Sequence, residues 1–165
     1  MVGRDEYRDA MARVGAAVNV ITTDGLAGRR GFTASAVCSV SDAPPTLLVC
    51  VNRTHDSHAA LLANGIMCIN TLNARQSHLS DVFAGFTNQE GAARFAAAGI
   101  WYEMATGAPA LHEAVVSFDC RIVQTTDVGT HSVFFAEVEA VRHGTAHDAL
   151  IYFGRAYHPV AHPAG

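Results

Sequence analysis

Asn52-Arg-Thr-His-Asp-Ser57 carries the side chains in this chain best suited to hold an anion. The six residues follow the apolar run Thr46-Leu-Leu-Val-Cys-Val51 and precede a short helical segment, His58 to Ala63. A loop in that position presents free amides and the positive end of a helix dipole, the usual setting for a phosphate. Arg53 adds a guanidinium able to grip two oxygens, and Thr54 and Ser57 add hydroxyl donors. The competing reading is an ordinary loop in which Asp56-Ser57 merely caps the helix. Just upstream, Gly31-Phe-Thr-Ala-Ser-Ala-Val-Cys-Ser-Val-Ser41 reads as one strand built from Ala, Ser and Thr. Such residues pack poorly across a pleat, so a strand made of them gains something else, such as the close approach of a flat ligand. At period two Thr33, Ser35, Ser39 and Ser41 share a face, a row of short hydroxyls suited to the polar edge of a planar heteroaromatic group. The alternative is a plain small-residue strand lying under a helix.

Two further groups complete the inventory. Gly129-Thr130-His131 places an imidazole beside a glycine turn, and its plainer reading is a surface-turn histidine. Tyr152, Arg155, Tyr157 and His158 form an aromatic-basic cluster that could stack on rings and pair with phosphate. Against this stands a terminal strand using tyrosine as an amphipathic edge. Neither a Ser/His/Asp set nor a pair of carboxylates stands out as a nucleophilic or acid–base centre. Cys38, Cys50, Cys68 and Cys120 are widely spaced on apolar runs with no C-x-x-C pair, which predicts four reduced, buried thiols. His55/His58 and His143/His147 lack an accompanying carboxylate–histidine set, so no metal site is expected. Fifteen acidic residues against eleven Lys plus Arg give a net charge of −4, which argues against nucleic acid as a partner.

These residues need elements to position them. Asp5 to Val14 reads as a short helix ended by Gly15, and Ala16 to Thr23 as a strand turning at Asp24-Gly25 into the Gly31 strand. Pro44-Pro45 ends that strand, and Thr46 to Val51 has the unbroken apolar pattern of a strand covered on both faces. Asn64-Gly65 stops the helix after the anion loop, and Ile66 to Leu72 is another strand. Asn73 can cap a helix from Ala74 to Ala84 with Leu79, Val82 and Phe83 on one face. A further helix is expected near Gln89 to Ala97. Ala114 to Ile122 alternates as a half-buried strand with Ser117, Asp119 and Arg121 outward, Val133 to Val141 pairs with it, and Ala149 to Phe153 is the last strand. Six or more strands with glycine-rich turns favour a barrel over a doubly wound sheet, and no G-x-G-x-x-G opens a helix anywhere. One domain, residues 1–165, fits the length, and no apolar run nears the roughly 18 residues of a membrane span. A soluble, cytoplasmic protein is expected.

The chain resembles the flavin reductase family of short-chain NAD(P)H:flavin oxidoreductases. The likeness rests on Tyr7-Arg-Asp-Ala-Met-Ala12, Ala16-Ala-Val-Asn-Val-Ile-Thr-Thr23, Gly31 to Val40, Cys68-Ile-Asn-Thr-Leu72, Gly129-Thr-His131 and Ile151-Tyr-Phe-Gly-Arg-Ala-Tyr-His158. The resemblance implies a mainly β, FMN-binding split barrel of Greek-key type with a few short flanking helices. It implies a homodimer that binds FMN (or FAD) and oxidises NADH (or NADPH). Reduced flavin would pass to a separate monooxygenase, a pyrimidine-ring-opening enzyme first and an aromatic hydroxylase second. The alternative within the same fold is an FMN-holding electron carrier without turnover of free flavin. By the same resemblance Thr33, Ala34, Ser35, Ala36, Ser39, Val40 and Ser41 would contact the isoalloxazine and ribityl groups. Cys50, Val51, Asn52, Arg53 and Ser57 would carry the ribityl and phosphate end. Phe83 would be core or lie near the flavin. His131 would orient the nicotinamide, with Tyr152, Arg155 and His158 at a nucleotide rim.

Overall fold

A computed structural model describes residues 1–87, 89, 91–145 and 148–163. Four helices and twelve strands alternate along it. They are α1 (Arg4–Met11), β1 (Ala16–Ala17), β2 (Asn19–Thr23), β3 (Arg30–Ala34), β4 (Val37–Asp42), β5 (Pro45–Asn52), α2 (Asp56–Asn64) and β6 (Ile66–Thr71). Then come α3 (Ser77–Phe83), α4 (Ala92–Ala98), β7 (Trp101–Glu103), β8 (Pro109–Leu111), β9 (Val116–Val128), β10 (His131–His143), β11 (Ala149–Phe153) and β12 (Ala156–Val160).

Seven strands form one antiparallel sheet in the order β3-β2-β6-β9-β10-β5-β4. Its two outer strands, β3 and β4, are consecutive in sequence and joined only by Ser35 and Ala36. The sheet therefore curls until its edges meet at that link without a ladder between them, which is the split of a split barrel. The connection β5–α2–β6 carries the chain past β10 and β9, a Greek-key crossing. A smaller sheet, β1-β11-β12, and the β7–β8 pair flank the barrel. Among the described residues no helix is long and apolar enough to cross a membrane.

The expected single strand Gly31–Ser41 is thus two strands at opposite sheet edges. The break at Ser35–Ala36 has no signature beyond more small residues, and tertiary closure imposes it. Ala16–Thr23 is likewise divided between two sheets, at Val18. β12 extends the chain beyond the strand expected to be last and pairs with β11. Asn73 does not cap the following helix. It shapes a preceding turn, its Oδ1 accepting from Arg75 N at 2.8 Å, and α3 starts only at Ser77.

β2 is covered on both faces and sets the core's two layers. Ile21 faces the barrel interior with Phe32, Val49, Met67 and Phe134, while Val20 packs with Leu72, Leu79, Phe83 and Leu150. Each such side chain contributes about 1.5–3 kcal/mol on burial. Gly31 makes the close packing of α3 possible, because a Cβ there would lie 2.8 Å from Phe83 Cε1. The start of β9 is covered on both faces, contrary to the expected outward Ser117 and Asp119, both buried. Asn70 explains part of it: its Oδ1 accepts from Ser117 Oγ and Leu111 N, both at 2.8 Å. Asp119 accepts from Thr106 N at 2.9 Å and from Thr106 Oγ1 at 2.5 Å. Buried polar atoms with such partners cost little, so alternation alone misassigned that face.

β5 is less covered than expected. Val49 and Val51 are buried, but Leu47, Leu48 and Cys50 are half-buried. Leu48 pairs with Phe135, and Cys50 with Val133, so these four share the barrel's outer face. Of the four thiols, all unpaired, Cys68 and Cys120 are buried, Cys50 is half-buried, and Cys38 on the edge strand is exposed.

Candidate active site

The seam between β3 and β4 opens into a cleft of about 300 Å³. Thr33, Ala34, Ser35 and Ala36 form one wall, and Cys50, Val51 and Asn52 of β5 the other. Phe83 is fully buried, yet it also lines the cleft, so it is both core and floor. Its ring is held edge-on by Phe95 and Trp101, at 5.3 and 5.8 Å between centroids. His131 stands at the rim, where Gly129, at φ 57°, turns the β9–β10 hairpin. The walls suit a flat ring because their side chains are short. Moreover, the amides of Ser35 and Ala36 donate to no protein acceptor among the described residues. Both residues are exposed, so water can satisfy these amides, and they are also free to meet the polar edge of a ligand in the cleft.

Part of the expected hydroxyl row does not reach this cleft. Thr33 Oγ1 donates to Ser80 O of α3 at 2.7 Å, tying the wall to the helix. Ser39, Val40 and Ser41 lie on the far part of β4, where a bulge between Ser39 and Ser41 breaks the register with β5. Ser41 Oγ accepts from Ala43 N at 3.1 Å in the turn that follows. Those three residues do not line the cleft within one chain, because the break at Ser35–Ala36 ends the common face with Thr33.

The anion loop lies where expected, between β5 and α2, but the amides of Arg53, Thr54, His55 and Ser57 are not free: each donates within the protein. Asn52 Oδ1 accepts from Thr54 N and Thr54 Oγ1, each at 3.0 Å, which folds the loop back on itself. Arg53 N donates to Thr130 O at 3.0 Å, locking the loop to the hairpin that carries His131. The Arg53 side chain borders a second, outer cleft of about 790 Å³ together with Arg4, Tyr7 and Arg8 of α1; Asn52 and His131 belong to both clefts. Ser57 is different. It is buried, its Oγ is 3.4 Å from Asp56 Oδ1, and its amide donates at 3.2 Å to His55 Nδ1. His55, not Asp56-Ser57, is therefore the helix cap, and its ring lies 5.2 Å from that of Phe32 in the cleft wall.

The C-terminal cluster separates in space. Tyr152 and Tyr157 face each other at 5.5 Å and line a smaller cleft of about 190 Å³ that shares Thr33, Ala34 and Ser35 with the main one. Tyr157 Oη lies 2.7 Å from Ser80 Oγ and 3.2 Å from Asp81 Oδ1; burial raises its pKa above the ordinary tyrosine value. Arg155, in the left-handed region at φ 63°, pairs instead with Asp9 of α1. His158 Nε2 contacts Phe153 O at 2.9 Å. Neither Arg155 nor His158 lines a described cleft.

Sequence reasoning missed Asp127, Ser132 and His58. His58 Nε2 lies 2.8 Å from Ser132 Oγ, which donates to Asp127 Oδ1 at 2.6 Å, and Asp127 Oδ2 accepts from Arg53 Nη1 at 3.1 Å. The three residue types of a hydrolytic triad do meet, but in the wrong order. The Ser132 proton goes to Asp127, so His58 must donate to the serine rather than deprotonate it. Bonding to Ser132, then to Arg53, holds the Asp127 carboxyl below its ordinary pKa. No three His, Cys, Asp or Glu side chains gather as a metal site among the described residues, and His147 lies outside them.

Residues 11–161 match the flavin reductase like domain family. The chain is 58% identical to the FMN reductase (NADH) RutF of Ancylobacter novellus, over 97% of this chain and 87% of that protein. It is 53% identical to the protein of the same name from Escherichia coli K12, over 99% and 98%. Among solved structures, a putative flavin reductase from Haemophilus somnus 129PT superposes with a TM-score of 0.91 at 42% identity, covering 96% of this chain and all of that one. BorF, the flavin reductase component of a bacterial two-component tryptophan halogenase, gives 0.89 at 28% identity, covering 98% and 100%. A split barrel whose seam forms a ring-sized cleft beside an arginine loop, with these relatives over nearly its whole length, belongs to the flavin reductase family.

Proposed function

We propose that the protein is an NADH-dependent FMN reductase that supplies reduced flavin to a separate monooxygenase. The carrying observation is the seam cleft: small side chains and two unpaired amides on one wall, and an arginine loop at its end. The flavin, when bound, supplies the hydride-accepting ring, so the protein needs no nucleophile or acid–base pair of its own. Ser35 and Ala36 amides would fix the ring's polar edge, Phe83 and the β5 wall would exclude water, and Arg53 would face the phosphate. His131 at the rim would orient the nicotinamide, since only a close, aligned approach makes hydride transfer fast.

FMN and NADH are the pair in the names of the curated relatives, which supports them over FAD and NADPH here. As recipient we read a pyrimidine-ring-opening monooxygenase first and an aromatic hydroxylase second. We read residues 1–165 as one flavin reductase-like domain, and the protein as cytoplasmic, where unpaired thiols such as exposed Cys38 persist. A homodimer fits the half-buried outer stripe of Leu48, Cys50, Val133 and Phe135. The test is steady-state NADH oxidation with catalytic protein and excess FMN. A rate well above the protein-free reaction is expected. Tight FMN binding without turnover would replace this reading with an electron carrier.

A further inference from the structure

We infer that Asp127 is an affinity-setting residue, holding Arg53 in competition with the ligand phosphate so that flavin stays exchangeable. This rests on the flavin-reductase reading and on Arg53 as the phosphate's cation. Arg53 Nη1 bonds Asp127 Oδ2 at 3.1 Å, and both side chains remain substantially exposed, so a phosphate can reach the guanidinium. The carboxylate cannot readily swing aside. Its other oxygen is bound by Ser132 Oγ at 2.6 Å, and Ser132 is itself fully buried and held by His58 from α2. His58 in turn packs edge-on against Phe134 of the core, 5.4 Å between centroids. A chain from the barrel interior thus pins a negative charge beside the one loop cation that a dianionic ligand would use.

A surface ion pair adds little stability by itself, so an anchoring this deep is unneeded for folding. Its effect falls on the ligand, because two anions sharing one guanidinium repel each other. An enzyme that hands its reduced product to another protein gains from this, since an over-tight hold would slow release.

The experiment is flavin titration by fluorescence quenching, with FMN and riboflavin, on the wild-type protein, Arg53→Ala and Asp127→Asn. Riboflavin lacks the phosphate and reports everything else. Arg53→Ala should weaken FMN by about tenfold or more with little change for riboflavin. Asp127→Asn keeps the size and a hydrogen-bonding group, and should tighten FMN by about three- to tenfold while leaving riboflavin unchanged. That gain should shrink as salt screens the charges. If Asp127→Asn leaves the FMN-to-riboflavin ratio unmoved or weakens FMN, while Arg53→Ala behaves as stated, the competing role is overturned and the phosphate placement stands. If neither variant moves the ratio, both fall.

Discussion

His131 is the exposed side chain proposed to meet the nicotinamide. It borders both clefts, with its Nδ1 2.9 Å from Thr130 Oγ1, and so is oriented without being buried. His131→Ala should raise the KM for NADH several-fold while flavin affinity barely changes. The reverse pattern in quenching titrations would move the residue to the flavin side. The thiols give a second prediction at this scale. Burial, then the charge of Asp119, pushes Cys120 up from 9.0 to about 12, and the same two causes lead for Cys68, which lies well above 9.0. The folded state therefore keeps these protons when the unfolded chain has lost them. Their contribution is fully present below about pH 9 and is lost as pH rises from there towards 12. Urea midpoints measured at pH 7, 9 and 10.5 should be level between the first two and fall at the third. Cys120→Ala should flatten that fall, and an unchanged slope would argue against a thiol origin.

Gly31 ties β3 to α3, and its replacement tests how the cleft floor is supported. Gly31→Ala would set a Cβ 2.8 Å from the Phe83 ring and 3.2 Å from Ile21 O. The resulting shift should cost about 1–3 kcal/mol of stability and lower flavin affinity, read from thermal unfolding and quenching together. A stable variant with normal affinity would show that the ring yields freely. At this scale the sequence was informative where patterns are local. The β9–β10 hairpin, the helix stopped at Gly65 in its left-handed conformation, and the buried face of α3 all follow from alternation, glycine and helical spacing. Thr33 to Ala36 line the cleft that the small-residue pattern suggested, and Cys50 to Asn52, expected there only from the family resemblance, line its other side. Ser39 to Ser41 fall outside this cleft because period-two counting assumes an unbroken strand. The Arg155 ion pair was not legible because its partner, Asp9, is remote in sequence and nothing local announces it.

The barrel as a whole leaves one apolar outer stripe half-covered, and this bears on assembly. Phe135 and Leu48 lie opposite one another on β10 and β5, beside edge strand β4. Sedimentation should give twice the chain mass, and Leu48→Asp should shift it to the single-chain value. A wild-type protein that sediments as one chain would remove the dimer. A property of the closure itself follows from the meeting of β3 and β4. A fully laced barrel opens only by breaking hydrogen bonds all along a ladder, whereas this one is held shut by a two-residue covalent clasp and by packing. Breathing motions should begin there, and a flat guest wedged in the gap would act as a zip that stiffens the whole cylinder. Loading and leaving would thereby be coupled to the one unlaced line of the sheet, and cargo would exchange without loosening the core.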